Sequence, residues 1–146
     1  MEQPDNAPDM DTVRQMLKRN CKEEWLNRWS AGSTGRVMYK EMTKPNTNDN
    51  INKLTRKEQC TIFQLRTSHA RTNYHLNRTN PLHLPLCRNC TAPHETVRHV
   101  LLECPNLQQL RSKLLPQQPS INNTLYSTLT QLQKTCRYFN LALSQE

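Results

Sequence analysis

Eighteen residues, CRNCTAPHETVRHVLLEC, carry Cys87, Cys90, His99 and Cys104 in the pattern C-x2-C-x8-H-x4-C. No other feature constrains the fold as much, because it would tie a bent loop to the segment behind it. The candidates are a metal site, a disulfide or a chance cluster. Two thiolates on a tight turn can grip one side of a metal. A helix starting near Thr96 then presents His99, with Cys104 just past its end. Four S/N ligands suit tetrahedral Zn²⁺, with Zn–S near ~2.3 Å and Zn–N near ~2.0 Å. His94, in a proline-containing loop, is the rival fourth ligand, and ligation by Cys90 and His94 together stays open.

Composition explains why such a tie would be needed. The 146 residues amount to about one domain, yet only 34% are hydrophobic and 5% aromatic. Mean hydropathy is −0.90. A thin core gains folding free energy from a structural metal. Two glycines in the whole chain disfavour hairpin-rich architecture, since tight turns lean on Gly. The expectation is a mainly α fold: a small helical domain with a CCHC zinc-knuckle-like insertion and little or no β.

The chain opens MEQPDNAPDMD, polar and acidic, and no run approaches the ~20 apolar residues that cross a bilayer. No membrane role is therefore expected. The expected setting is intracellular, nuclear or cytoplasmic, where clustered cysteines bind metal more often than they pair.

The net charge of +8 is uneven. Residues 1–50 carry eight Lys/Arg against eight Asp/Glu, whereas residues 51–100 carry eight against two. A concentrated basic field suits a polyphosphate partner, because each neutralised phosphate releases counterions.

Along the chain, residues 1–8 read as disordered and 9–44 as an N-terminal helical segment. There Val13, Leu17, Cys21, Trp25 and Trp29 recur every four residues, the spacing of a packing stripe rather than of stacking platforms. Residues 45–53 read as a polar linker. Residues 54–119 hold a basic helix and the CCHC module. That helix starts at a capping box, Thr55 with Glu58, and runs to about 68 or 69. Ile62, Phe63 and Leu65 are expected to be carried inward, although Phe63 and Cys60 lie on a different side from Ile62 and Leu65, so either two surfaces are buried or one is a partner face. A short helical turn ends before Pro81; a helix over 96–103 precedes Pro105, and Leu107, Leu110 and Leu114 mark the next. Residues 120–146 hold a C-terminal helix, roughly 123–143, marked by Leu125, Leu129, Leu132, Cys136 and Phe139. Cys21, Cys60 and Cys136 read as buried small apolar residues; His69, His75 and His83 are solitary and read as non-ligands.

Enzymatic chemistry is not expected. Four protein ligands leave a metal no open position for water or substrate. There is no phosphate-cradling glycine loop, nucleophile elbow or H-E-x-x-H. After Asp49 the carboxylates are only Glu58, Glu95, Glu103 and Glu146, too few for a two-metal nuclease. No small-molecule substrate is implied.

The blocks WLNRWSAGSTGRVMY, LTRKEQCTIFQLRTSHARTNYHLNRTNP and PLCRNCTAPHETVRHVLLECPNLQQLRSKLL together resemble the C-terminal tail of non-LTR (LINE-like) retrotransposon polyproteins. The likeness is to fungal and insect elements in which RNase H follows reverse transcriptase, and it spans roughly residues 13–115. It implies that Cys87, Cys90, His99 and Cys104 are metal ligands of a zinc-knuckle-like module that grips nucleic acid. The polymerase and RNase H carboxylates of the family are absent, and Ser68 stands where glycine is usual. The chain is thus expected to be a fragment, a decayed copy or a sequence recruited elsewhere.

The expected partners are RNA or single-stranded DNA. Lys53, Arg56, Lys57, Arg66, Arg71, Arg78 and Arg98 would track the backbone, Arg88 and Asn89 on the knuckle would reach a phosphate and a base, and Tyr74 would stack. The competing reading is a transposon-derived protein-interaction module, an adaptor or effector with structural zinc.

Overall fold

A computed structural model describes residues 8–44 and 46–144; the stretch expected to be disordered lies, except for Pro8, outside them. Among the described residues the protein is mainly α with no strand. It divides into two compact units at the Lys44–Pro45 boundary.

The first unit is built on helix α1, Met10–Ala31. The Asp9 carboxylate caps it, accepting from the Thr12 N–H at 2.8 Å, and Gly32 ends it with its N–H on the Arg28 carbonyl. After a turn comes α2, Arg36–Glu41. Gly35 joins the two at φ 67°, and a Cβ there would sit 2.9 Å from the Trp29 ring. Both facts require glycine. Trp29 stacks on Trp25, meets the Tyr39 ring edge-on and lies under the Arg36 guanidinium. The expected packing stripe does not form. Helix α1 buries no residue; Leu17 and Cys21 are exposed, and Trp25 is 46% exposed. Helix α2 is too short to cover more than the Trp29 end of the ladder.

In the second unit a 3₁₀ turn, Asn50–Lys53, leads into α3, Arg56–Arg66. Thr55 and Glu58 form the reciprocal capping box. Helix α3 closes two residues short of the expected end in a Schellman turn: the Ser68 N–H bonds the Leu65 carbonyl and the His69 N–H the Gln64 carbonyl. Ser68 takes the left-handed conformation this turn demands, φ 59°. Helix α4, Asn73–Thr79, follows, with Thr72 as its cap.

Beyond the cysteine loop come a π turn, His99–Glu103, a 3₁₀ turn, Pro105–Leu107, and α5, Gln108–Leu114. The last expected helix is two: α6, Ile121–Leu125, and α7, Leu129–Leu143. They part because carbonyls at the junction bond elsewhere. The Leu125 carbonyl accepts from Arg66 Nε and the Ser127 carbonyl from Asn50 Nδ2. The Thr128 hydroxyl then caps α7.

Helix α7 packs against α3, α5, α6 and the π turn. Ile62, Leu65, Leu101, Leu107, Leu125, Leu132 and Tyr138 form the centre of the core. Of the stretch expected as a linker, residues 46–53 are tied into this unit: Asp49 and Asn50 are both hydrogen-bonded to it. Of the isolated cysteines only Cys136 is buried; Cys21 and Cys60 are exposed. Cys60 is turned outward because Ile62 and Leu65 already occupy the face of α3 that meets the core.

Candidate metal centre and basic surface

The loop from Pro85 to Glu95 is closed by two backbone bonds, the Cys87 N–H to the Ala92 carbonyl at 3.0 Å and the Glu95 N–H to the Pro85 carbonyl at 2.8 Å. This fold brings Cys87 and Cys90 to one side. The Thr96 hydroxyl accepts from the His99 N–H and starts the following turn, which carries His99 inward and ends at Cys104.

Cys87, Cys90, His99 and Cys104 converge, with all four ligand atoms within 4.8 Å of one another. The Cys87 and Cys104 sulfurs are 4.0 Å apart, and Cys90 Sγ is 3.3 Å from His99 Nε2. A tetrahedral ion bound at the usual lengths would set S···S at about 3.8 Å and S···N at about 3.5 Å. The cluster could therefore hold one metal ion, through three sulfurs and Nε2. Burial pushes the Cys87 thiol up to about 12 and raises Cys104 as well, so ligation would have to displace their protons. His94 is outside the cluster; it is exposed and meets the Tyr74 ring edge-on at 5.4 Å.

The turn carrying His99 is wide, and Pro105 after it has no N–H to donate. The Cys104 N–H reaches back to the His99 carbonyl, and the carbonyls of Val100 and Leu101 find no helical donor. Two side chains supply them. Tyr138 Oη donates to the Val100 carbonyl at 2.7 Å, and Arg111 donates to the carbonyls of Leu101 and Cys104. Burial pushes the Tyr138 hydroxyl up to about 12, keeping it a donor.

Glu95, fully buried, anchors the other arm. Its carboxylate accepts from the Arg88 N–H, from Arg88 Nε and Nη2, and from the Asn73 N–H. No sequence pattern marked it beyond its place in the resemblance.

The expected nucleic-acid contacts divide. Arg66 is 3% exposed; it pairs with Asp49, bonds the Leu125 carbonyl and lies over the Tyr126 ring. It is a core residue, and the expectation that it tracks a backbone is corrected. The knuckle side chains have partners within the fold. Arg88 is held by Glu95 and reaches the Leu143 carbonyl, while Asn89 Nδ2 bonds the Ala142 carbonyl. They satisfy the end of α7, where cations and donors belong. Arg98 is exposed but paired with Glu103.

Lys53, Arg56, Lys57, Arg71 and Arg78 are exposed and have no ion pair among the described residues. Arg71 shares a cavity of about 350 Å³ with Thr61 and Gln64 of α3. Arg56 and Lys57 are exposed in the first turn of the same helix. Tyr74 is half-exposed against His94. His69 and His75 meet edge-on at 5.2 Å, and His83 bonds Asn73.

No helix among the described residues is long and apolar enough to cross a membrane. Comparison with protein-family models, with curated proteins and with solved structures gave no match.

Proposed function

We propose that the chain is a zinc-stabilised nucleic-acid-binding module, derived from the C-terminal tail of a non-LTR retrotransposon reverse transcriptase, that grips RNA or single-stranded DNA through the outer face of α3. One observation carries the reading. Four soft-to-borderline donor groups converge in the second unit, while Arg56 and Lys57 at the start of α3 and Arg71 beyond its end are exposed with no ion pair among the described residues. Three thiolates and an imidazole at tetrahedral spacing favour Zn²⁺. All four positions are then filled by protein, so the ion shapes the loop and takes no part in chemistry. The cations beside it meet phosphates, and the grip is electrostatic.

The test is titration of the full chain with single-stranded RNA and DNA across a salt series, with metal content read by native mass spectrometry. One zinc per chain and an affinity that falls steeply with salt support the proposal. Zinc without binding at low salt would favour a protein-interaction module. That second reading draws on Leu82, Leu84 and Leu86, all exposed on the run before Cys87.

A further inference from the structure

Phe63 is the largest aromatic side chain that α3 exposes, at 55%. Arg56, Gln59, Cys60 and Phe63 are spaced three, four and seven residues apart, so they share one face of the helix. With Ile51 and Asn52 of the preceding turn they line a cavity of about 410 Å³. Its composition is mixed in a particular way. Phe63, Cys60 and Ile51 give it an apolar wall and floor, Asn52 and Gln59 bring two amides to it, and Arg56 adds a fixed positive charge. Gln59 Nε2 is held on the Leu54 carbonyl at 3.0 Å, so its Oε1 is left as an acceptor. Lys53, on the same turn as Ile51, adds a second exposed cation beside the cavity.

A purely apolar peptide side chain would make no use of the two amides or the guanidinium. A flat heterocycle with donor and acceptor edges, joined to a phosphate, would satisfy all of them. We infer that this cavity is the base-binding subsite of the chain: one unstacked nucleobase of a single strand lies on the Phe63 ring, its edge meets Asn52 and Gln59, and its phosphate meets Arg56. Stacking on one aromatic ring tolerates any base. The amide contacts add a modest preference at that single position. The inference rests on the nucleic-acid reading above and names the residues that separate single strands from duplexes.

The experiment uses the full zinc-loaded chain and three labelled probes: a single-stranded oligonucleotide, the same sequence as a duplex, and the single strand with its bases removed. Phe63→Leu keeps an apolar side chain but loses the ring, and an exposed position tolerates it. It should weaken single-strand binding about 5- to 150-fold and leave the duplex and abasic probes unchanged. Phe63→Tyr should restore the single-strand affinity. Undiminished single-strand binding by Phe63→Leu would overturn the subsite and leave the proposed function standing. Equal weakening on all three probes would overturn it too, showing a general contact. If the unaltered chain binds none of the probes at low salt, the proposed function fails and the subsite with it.

Discussion

The Arg66 guanidinium closes on the Asp49 carboxylate from seventeen positions away, with Nη2 on Oδ1 at 3.0 Å, and its Nε takes the Leu125 carbonyl at 2.8 Å. One side chain thereby joins the 3₁₀ turn region, α3 and the α6–α7 junction. Removing one partner of a buried pair leaves the other uncompensated. Arg66→Ala should cost about 3–5 kcal/mol in chemical denaturation, and Arg66→Lys should recover little, because a point charge cannot make the fork.

Asp49 adds a pH signature. Partial burial works against its carboxylate, but the hydrogen bonds from Arg66 and the Ile51 N–H outweigh that and hold the pKa below 3.8. A carboxyl depressed on folding stabilises fully above its unfolded pKa and loses that stabilisation as pH falls through its folded value. The difference in stability between the native chain and Asp49→Asn should be constant at neutral pH and shrink below about pH 4. A difference that grows on acidification would contradict the pairing.

Helix α3 was largely legible before its structure, since the Thr55–Glu58 box and the Ile62/Leu65 pair mark its start and inner face. Its end was less so. Ser68 occupies a left-handed position, and serine pays for the Cβ there. Ser68→Gly should raise stability by about 0.5–1 kcal/mol, read as a higher denaturant midpoint at unchanged slope.

Tyr138 and Arg111 hold a turn whose own backbone cannot close. Tyr138→Phe leaves the buried Val100 carbonyl without a donor and should cost about 1–3 kcal/mol. Because that turn positions His99, zinc affinity should fall as well, measured by competition with a chromophoric chelator. Equal loss of stability with untouched metal affinity would show that the turn does not depend on the tyrosine.

At the ligands themselves, Cys90→Ser should abolish stoichiometric zinc and reduce helicity in circular dichroism, as should chelation of the unaltered chain. Cys60→Ser, on the exposed face of α3, should do neither.

The four clustered residues could be picked out of the sequence because their chemistry and spacing are local. What surrounds them could not. Arg66 and Arg88 look like the other arginines until the chain brings Asp49 and Glu95 to them, and nothing in a run of charges distinguishes an unpaired cation from one held by a distant carboxylate. The break between α6 and α7 was hidden for a related reason. Leu125, Leu129 and Leu132 keep helical spacing across it, while the donors that capture the junction carbonyls come from residues 50 and 66. The stripe on α1 shows the reverse failure: periodicity marks what a helix can bury, not whether anything covers it.

The wide turn at His99–Glu103 amounts to a single surplus residue wound into a helix. Each residue of an α-helix advances the azimuth by about 100°. Deleting one residue between His99 and Cys104 would restore ordinary winding, swing everything beyond it about a quarter-turn and carry the Cys104 sulfur away from the imidazole. Length there matters more than identity: the exposed Glu103 should accept many replacements, but the spacing that contains it should accept no shortening.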